Sequence, residues 1–97
     1  MLEQTVCLLC RFKNERHILF EWVHHHLLEG IDKIFLIDHK SDDNFLEVNP
    51  WLDVLIKENK LELLKSKSDK QVVDYNYYRK RYQEYDWLIC MDMDEFI

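Results

Sequence analysis

The stretch Trp87-Leu-Ile-Cys-Met-Asp-Met-Asp-Glu-Phe-Ile97 decides the architecture. Its unbroken apolar run from Trp87 to Met91 delivers three acids, Asp92, Asp94 and Glu95, within four residues. Such a run is the pattern of a strand buried on both faces of a sheet. Side chains alternate along an extended segment, so Asp92 and Asp94 are expected on one side and Met91 and Met93 on the other. Neighbouring carboxylates repel and need a cation or a shared proton. Their hard oxygens suit Mg²⁺ or Mn²⁺, and an ion held by one or two carboxylates keeps positions open for phosphate oxygens. The same residues also read as an ordinary acidic turn after a core strand. The choice between the two rests on the remaining chain.

Two earlier runs have the same character. Thr5-Val-Cys-Leu-Leu-Cys10 and Lys33-Ile-Phe-Leu-Ile-Asp38 read as buried strands, and each ends in polar residues, Arg11 to Glu15 and Asp38 to Asp43. Between them, apolar residues at 18, 19, 22, 23, 27 and 28 have helical spacing over 15–29, with Asn14 as the expected cap and Gly30 as the stop. Asn49-Pro50 starts a short helix over 51–57, and Leu61 to Leu64 forms a third strand. Ser68 or Asp69 caps a long helix to about Glu84, on which Val72, Tyr75, Tyr78, Tyr82 and Tyr85 form a core-packing stripe.

The order is thus β-α-β-α-β-α-β, which implies an α/β fold with a mainly parallel sheet and right-handed crossovers. Ligands bind such sheets at the carboxyl ends of the strands. Three polar clusters, Arg11 to Glu15, Asp38 to Asp43 and Asp92 to Glu95, are therefore expected along one edge.

Composition sets the outer bounds. Ninety-seven residues, 47% of them hydrophobic and three of them Trp, form one small domain with a real core. A net charge of −6 argues against a nucleic-acid backbone or an anionic membrane as the main partner. An acidic chain that binds an anionic nucleotide would do so through a cation. Cys7, Cys10 and Cys90 all lie in apolar runs and read as buried free thiols of a cytoplasmic protein, not as a zinc or redox pair. The apolar stretches are too short for a transmembrane segment.

Four motifs, in order and spacing, carry a resemblance. Lys13-Asn-Glu15, Glu21-Trp-Val-His-His-His-Leu-Leu-Glu-Gly30, Asp38-His-Lys-Ser-Asp-Asp43 and Asp86-Trp-Leu-Ile-Cys-Met-Asp-Met-Asp-Glu-Phe96 look like family-2-type glycosyltransferases of the GT-A fold. The subgroup is the one with an E-W-x-x-H-H helix and a D-x-D-E-F strand, and the family-92-like enzymes are similar. The resemblance implies a Rossmann-like, nucleotide-binding half-domain over residues 1–97, a truncated donor half. It implies that Asp94 binds Mn²⁺ or Mg²⁺ directly and that Asp92 contacts the ribose or the metal through water. Asp38 would hydrogen-bond the nucleobase or ribose, with Ser41 and Asp43 shaping its loop. Arg11, Lys13, Asn14 and Glu15 would lie near the nucleotide, and so would Gln71, Asn76 and Arg79.

The implied donor is a nucleotide-sugar, a UDP-sugar favoured, and the acceptor a saccharide or other hydroxyl, with transfer by inversion. His25 and His26 would hydrogen-bond within the fold. Consecutive helical residues point about 100° apart, so His24, His25 and His26 cannot share one metal. The acceptor segments and catalytic base of a complete domain are not matched, so weak or no transferase activity is expected. Self-association through an unpaired sheet edge, as a homodimer, is expected too. Two other readings stand beside this one: an inactive remnant acting as an interaction module, and a haloacid-dehalogenase-like phosphohydrolase. The D-x-D of the latter follows the first strand, unlike the motif here.

Overall fold

The computed structural model describes residues 4–95. Four strands, β1 (Val6–Phe12), β2 (Lys33–Asp38), β3 (Leu61–Lys65) and β4 (Trp87–Cys90), form one sheet in the order β3-β2-β1-β4, and every pair is parallel. Among the described residues five helices connect them, one after β1 and two after each of β2 and β3: α1 (Leu19–Leu28), α2 (Phe45–Val48), α3 (Trp51–Lys57), α4 (Gln71–Tyr77) and α5 (Arg79–Tyr82). The chain is the α/β fold expected, with the expected strand order in sequence.

Strand alternation sorts the core onto two faces. Leu8, Cys10, Ile34, Leu36 and Leu61 pack with Leu19, Trp22 and Val23 of α1 and Leu52 and Leu55 of α3. Cys7, Leu9, Phe35, Ile37 and Leu64 pack on the other face with Tyr78 and Tyr82, while Tyr75 and Tyr85 lie against them. Four of the five stripe residues therefore serve the core, and Val72 is exposed. Because α1 and α3 cover one face and α4 and α5 the other, the winding reverses between β1 and β4. That junction is the switch point at which doubly wound sheets bind ligands.

Helix ends follow local chemistry. At the end of α1, Gly30 N donates to Leu27 O and Ile31 N to His26 O, a Schellman closure that Gly30 makes possible with its φ of 102°. Asn59 does the same after α3 at φ 61°, with Asn59 N on Ile56 O and Lys60 N on Leu55 O.

Four local expectations are corrected. Asn14 does not cap α1, which begins only at Leu19 after a turn; Asn14 is left-handed at φ 55° and bonds the β2 loop instead. The helix expected over 69–84 is broken at Tyr78 into α4 and α5, starting from Lys70 rather than Ser68 or Asp69. The strand run from Trp87 is not buried on both faces: β4 pairs with β1 alone, and as an edge strand it leaves Trp87 57% exposed and Leu88 43%. For the same reason Cys90 is exposed, whereas Cys7 and Cys10 are buried. The short helix α2 was not expected from the sequence; Asn44 before it is left-handed and makes no side-chain cap. Among the described residues no helix is long and apolar enough to cross a membrane.

Candidate functional site

A parallel sheet sends every strand exit to one edge, so the loops after β1, β2, β3 and β4 are neighbours. The first two are sewn together. Asn14 N donates to Ser41 Oγ at 2.9 Å, and Asp42 N donates to Asn14 Oδ1 at 2.8 Å. Ser41 N in turn donates to Asp38 Oδ1 at 3.0 Å, and Arg16 N to Asp43 Oδ2 at 3.0 Å. Asn14, Lys40 and Asn44 all have φ between 55° and 57°. Three left-handed non-glycine residues in two adjoining loops store strain of the kind that surrounding structure must hold in place. Lys13 is exposed and Glu15 half-buried beside them.

A second network lies where β1 meets β3 and α4. Asp74 is fully buried and accepts from Arg11 Nε at 2.7 Å, Ser66 Oγ at 2.5 Å, Lys67 N at 2.6 Å and Ser68 N at 3.1 Å. Burial pushes its carboxyl up, but the hydrogen bonds from Ser66, Lys67 and Arg11 outweigh that and hold it below its ordinary value. Arg11 also reaches Ser68 O at 2.9 Å and His39 Nδ1 at 3.0 Å. A guanidinium only donates, so His39 Nδ1 is the accepting nitrogen. Arg11 is thus engaged within the protein. Asp74, Ser66 and His39 escaped the sequence reading. Asp74 sits beside Tyr75 in the core stripe, and that buried position was the one signal available.

The third group is the acidic turn. The extended run ends at Cys90, and Asp92 to Glu95 forms a β-turn closed by Glu95 N on Asp92 O at 3.0 Å. Glu95 Oε1 accepts from Asp92 N at 2.7 Å, so this carboxylate braces the turn. Met93 is buried in the α1 side of the core, and Asp92 and Asp94 are exposed. Turn geometry, not strand alternation, presents the two acids. The turn rests on α1: Trp22 Nε1 donates to Asp92 O at 3.2 Å and Glu95 O at 3.0 Å. His26 Nε2 donates to Glu95 O at 3.2 Å, since a carbonyl can only accept. Burial lowers the His26 imidazole pKa, against the pull of that carbonyl.

The structure thus brings Arg11, Lys13, Asn14, Glu15, Asp38, Ser41, Asp43, Asp92 and Asp94 to one edge of the sheet. Gln71, Asn76 and Arg79 are exposed, and their side chains make no hydrogen bond or ion pair among the described residues. Phe96, the last residue of the quoted motif, lies outside those residues. Among the described residues no three His, Cys, Asp or Glu side chains gather as a metal site. Asp92 and Asp94 offer hard oxygens suited to Mg²⁺ or Mn²⁺, which bind through one or two carboxylates when substrate phosphates complete the shell.

No protein-family model and no curated protein matches this chain.

Proposed function

We propose that this chain binds a nucleoside-diphosphate sugar at the carboxyl edge of its sheet, as the donor-binding half of a glycosyltransferase. The observation that carries the reading is the position of the acidic turn. It lies at the β1–β4 switch point, against the helix whose Glu21, Trp22, His25 and His26 belong to another of the four motifs of the resemblance.

In this reading Asp94 holds Mn²⁺ or Mg²⁺, and Asp92 contacts the ribose or the ion through water. The ion, when bound, neutralises charge developing on the leaving diphosphate. Asp38 has one oxygen on Ser41 N and turns the other to the nucleobase or ribose. Asn14, Ser41 and Asp43 keep that loop in shape without needing to move, so the donor meets a preorganised surface. Lys13 faces the nucleotide as an exposed cation. Sugar passes to an acceptor hydroxyl with inversion. The free edge of β4, with Trp87 and Leu88 exposed, is the surface through which a homodimer would extend the sheet.

Calorimetric titration of UDP, then GDP, with and without Mn²⁺, tests the proposal. Metal-dependent binding of UDP that disappears in Asp94→Asn is expected. A folded chain that binds neither nucleotide, or an Asp94→Asn variant that binds as the wild type does, would falsify it.

A further inference from the structure

On the α4–α5 face, at the opposite end of the sheet from the loops above, lies a cavity of about 220 Å³. Lys33, the first residue of β2, lines it and is only 5% exposed. A lysine buried this far normally has a carboxylate partner, because an isolated charge is costly to desolvate. Lys33 has none among the described residues. Its Nζ donates to the neutral Asn59 Oδ1 at 2.5 Å and lies 5.7 Å from the centre of the Phe35 ring. An ammonium carries three donors, so Asn59 leaves two to be satisfied. Asn59 is itself fixed, since its backbone closes α3 in the left-handed conformation.

The two acids of the wall do not answer this charge. Glu62 pairs with Arg81 at 2.8 Å, and Glu84 makes no ion pair among the described residues. Lys80, which makes no ion pair among the described residues, adds a further cation. Three cations against two acids leave this wall positive in a chain whose net charge is −6. Phe35 and Tyr85 supply the apolar part of the lining. The recess is open to solvent and mainly polar, and its volume exceeds the roughly 150 Å³ in which an enclosed apolar cavity holds benzene, so one ring bearing a small charged group has room here.

We propose that this cavity binds a small one-ring organic monoanion. Its carboxylate would accept from the free donors of Lys33, and its ring would lie against Phe35 and Tyr85. The inference does not rest on the nucleotide reading.

Sodium benzoate is the probe, titrated into the isotope-labelled chain and followed by NMR, with inorganic phosphate in parallel. Saturable shifts at the amides of Lys33, Asn59 and Tyr85 are expected at millimolar benzoate, with the Lys33 Cε signal moving in step. Lys33→Met is expected to lose them. The Lys33 Cε signal is read in the wild type, so it decides the matter even if that variant does not fold. Absence of shifts with benzoate overturns the proposal, as do shifts that persist in folded Lys33→Met. Phosphate binding as tightly as benzoate overturns the organic class, because a ring would then contribute nothing.

Discussion

The indole Nε1 of Trp22 donates to the carbonyl oxygen of Glu95 at 3.0 Å, tying the helix after β1 to the turn after β4. The same N–H is shared with Asp92 O at 3.2 Å. Trp22→Phe keeps a buried aromatic ring but removes this donor. Loss of about 1–3 kcal/mol is expected in urea denaturation. Metal-dependent nucleotide binding should weaken as well, because the turn would lose its anchor. A variant with wild-type nucleotide affinity would show that the anchor does not position the acids.

Asp74 is the most heavily bonded side chain of the carboxyl edge. Asp74→Ala strands Arg11 and is expected to destabilise the chain by about 3–5 kcal/mol. Adding Arg11→Met should restore only part of this, since Ser66 Oγ and the amides of Lys67 and Ser68 still lack their acceptor. Denaturation midpoints of the single and double variants measure both effects.

Acid should weaken the fold in two stages. The folded pKa of His26 lies below its unfolded value, near 6.5, because burial disfavours the imidazolium. Its contribution is therefore complete above about pH 6.5 and is lost as pH falls through the lower folded value. Asp74 is also depressed, against an unfolded value of about 3.9, so its contribution is lost further down, as pH falls through its own folded value. Unfolding midpoints measured across that range should show both declines. His26→Gln should abolish the first and spare the second.

Gly30 isolates a backbone effect. A methyl group there meets no atom within 4 Å, so Gly30→Ala is charged only with the left-handed φ of 102°. The expected cost is about 1–2 kcal/mol. Thermal melting should fall by about 4–8 °C for each kcal/mol in a domain of this size. An unchanged melting temperature would mean that the α1 closure relaxes elsewhere.

Much of the architecture was legible because apolar runs report burial directly. Lys33 to Asp38 was readable residue for residue, since β2 lies between β1 and β3 and is covered on both faces. Trp87 to Met91 has the same pattern and a different fate. Neighbour number, which depends on strand order, makes it an edge. The helix break at Tyr78 has no proline or glycine to announce it. At the site, acids at strand ends could be read, but their attachments could not. Asp74 is one of 19 acids, and its partner Arg11 lies 63 residues away. Asn14 looked like a helix cap because capping and loop-bridging use the same amide chemistry.

The clasp between Thr5 and Asp86 bears on how the molecule is made. Thr5 N donates to Asp86 Oδ2 at 2.7 Å across 81 residues, and β4 follows at once beside β1. During synthesis β4 follows β1 by 81 residues, so one flank of Val6 to Phe12 stays unpaired while that length of chain is made. That flank belongs to a fully buried apolar segment, with Cys7, Leu8, Leu9 and Cys10 in succession. The arrival of β4 therefore completes the junction beside the acidic turn and covers that open strand flank in the same event.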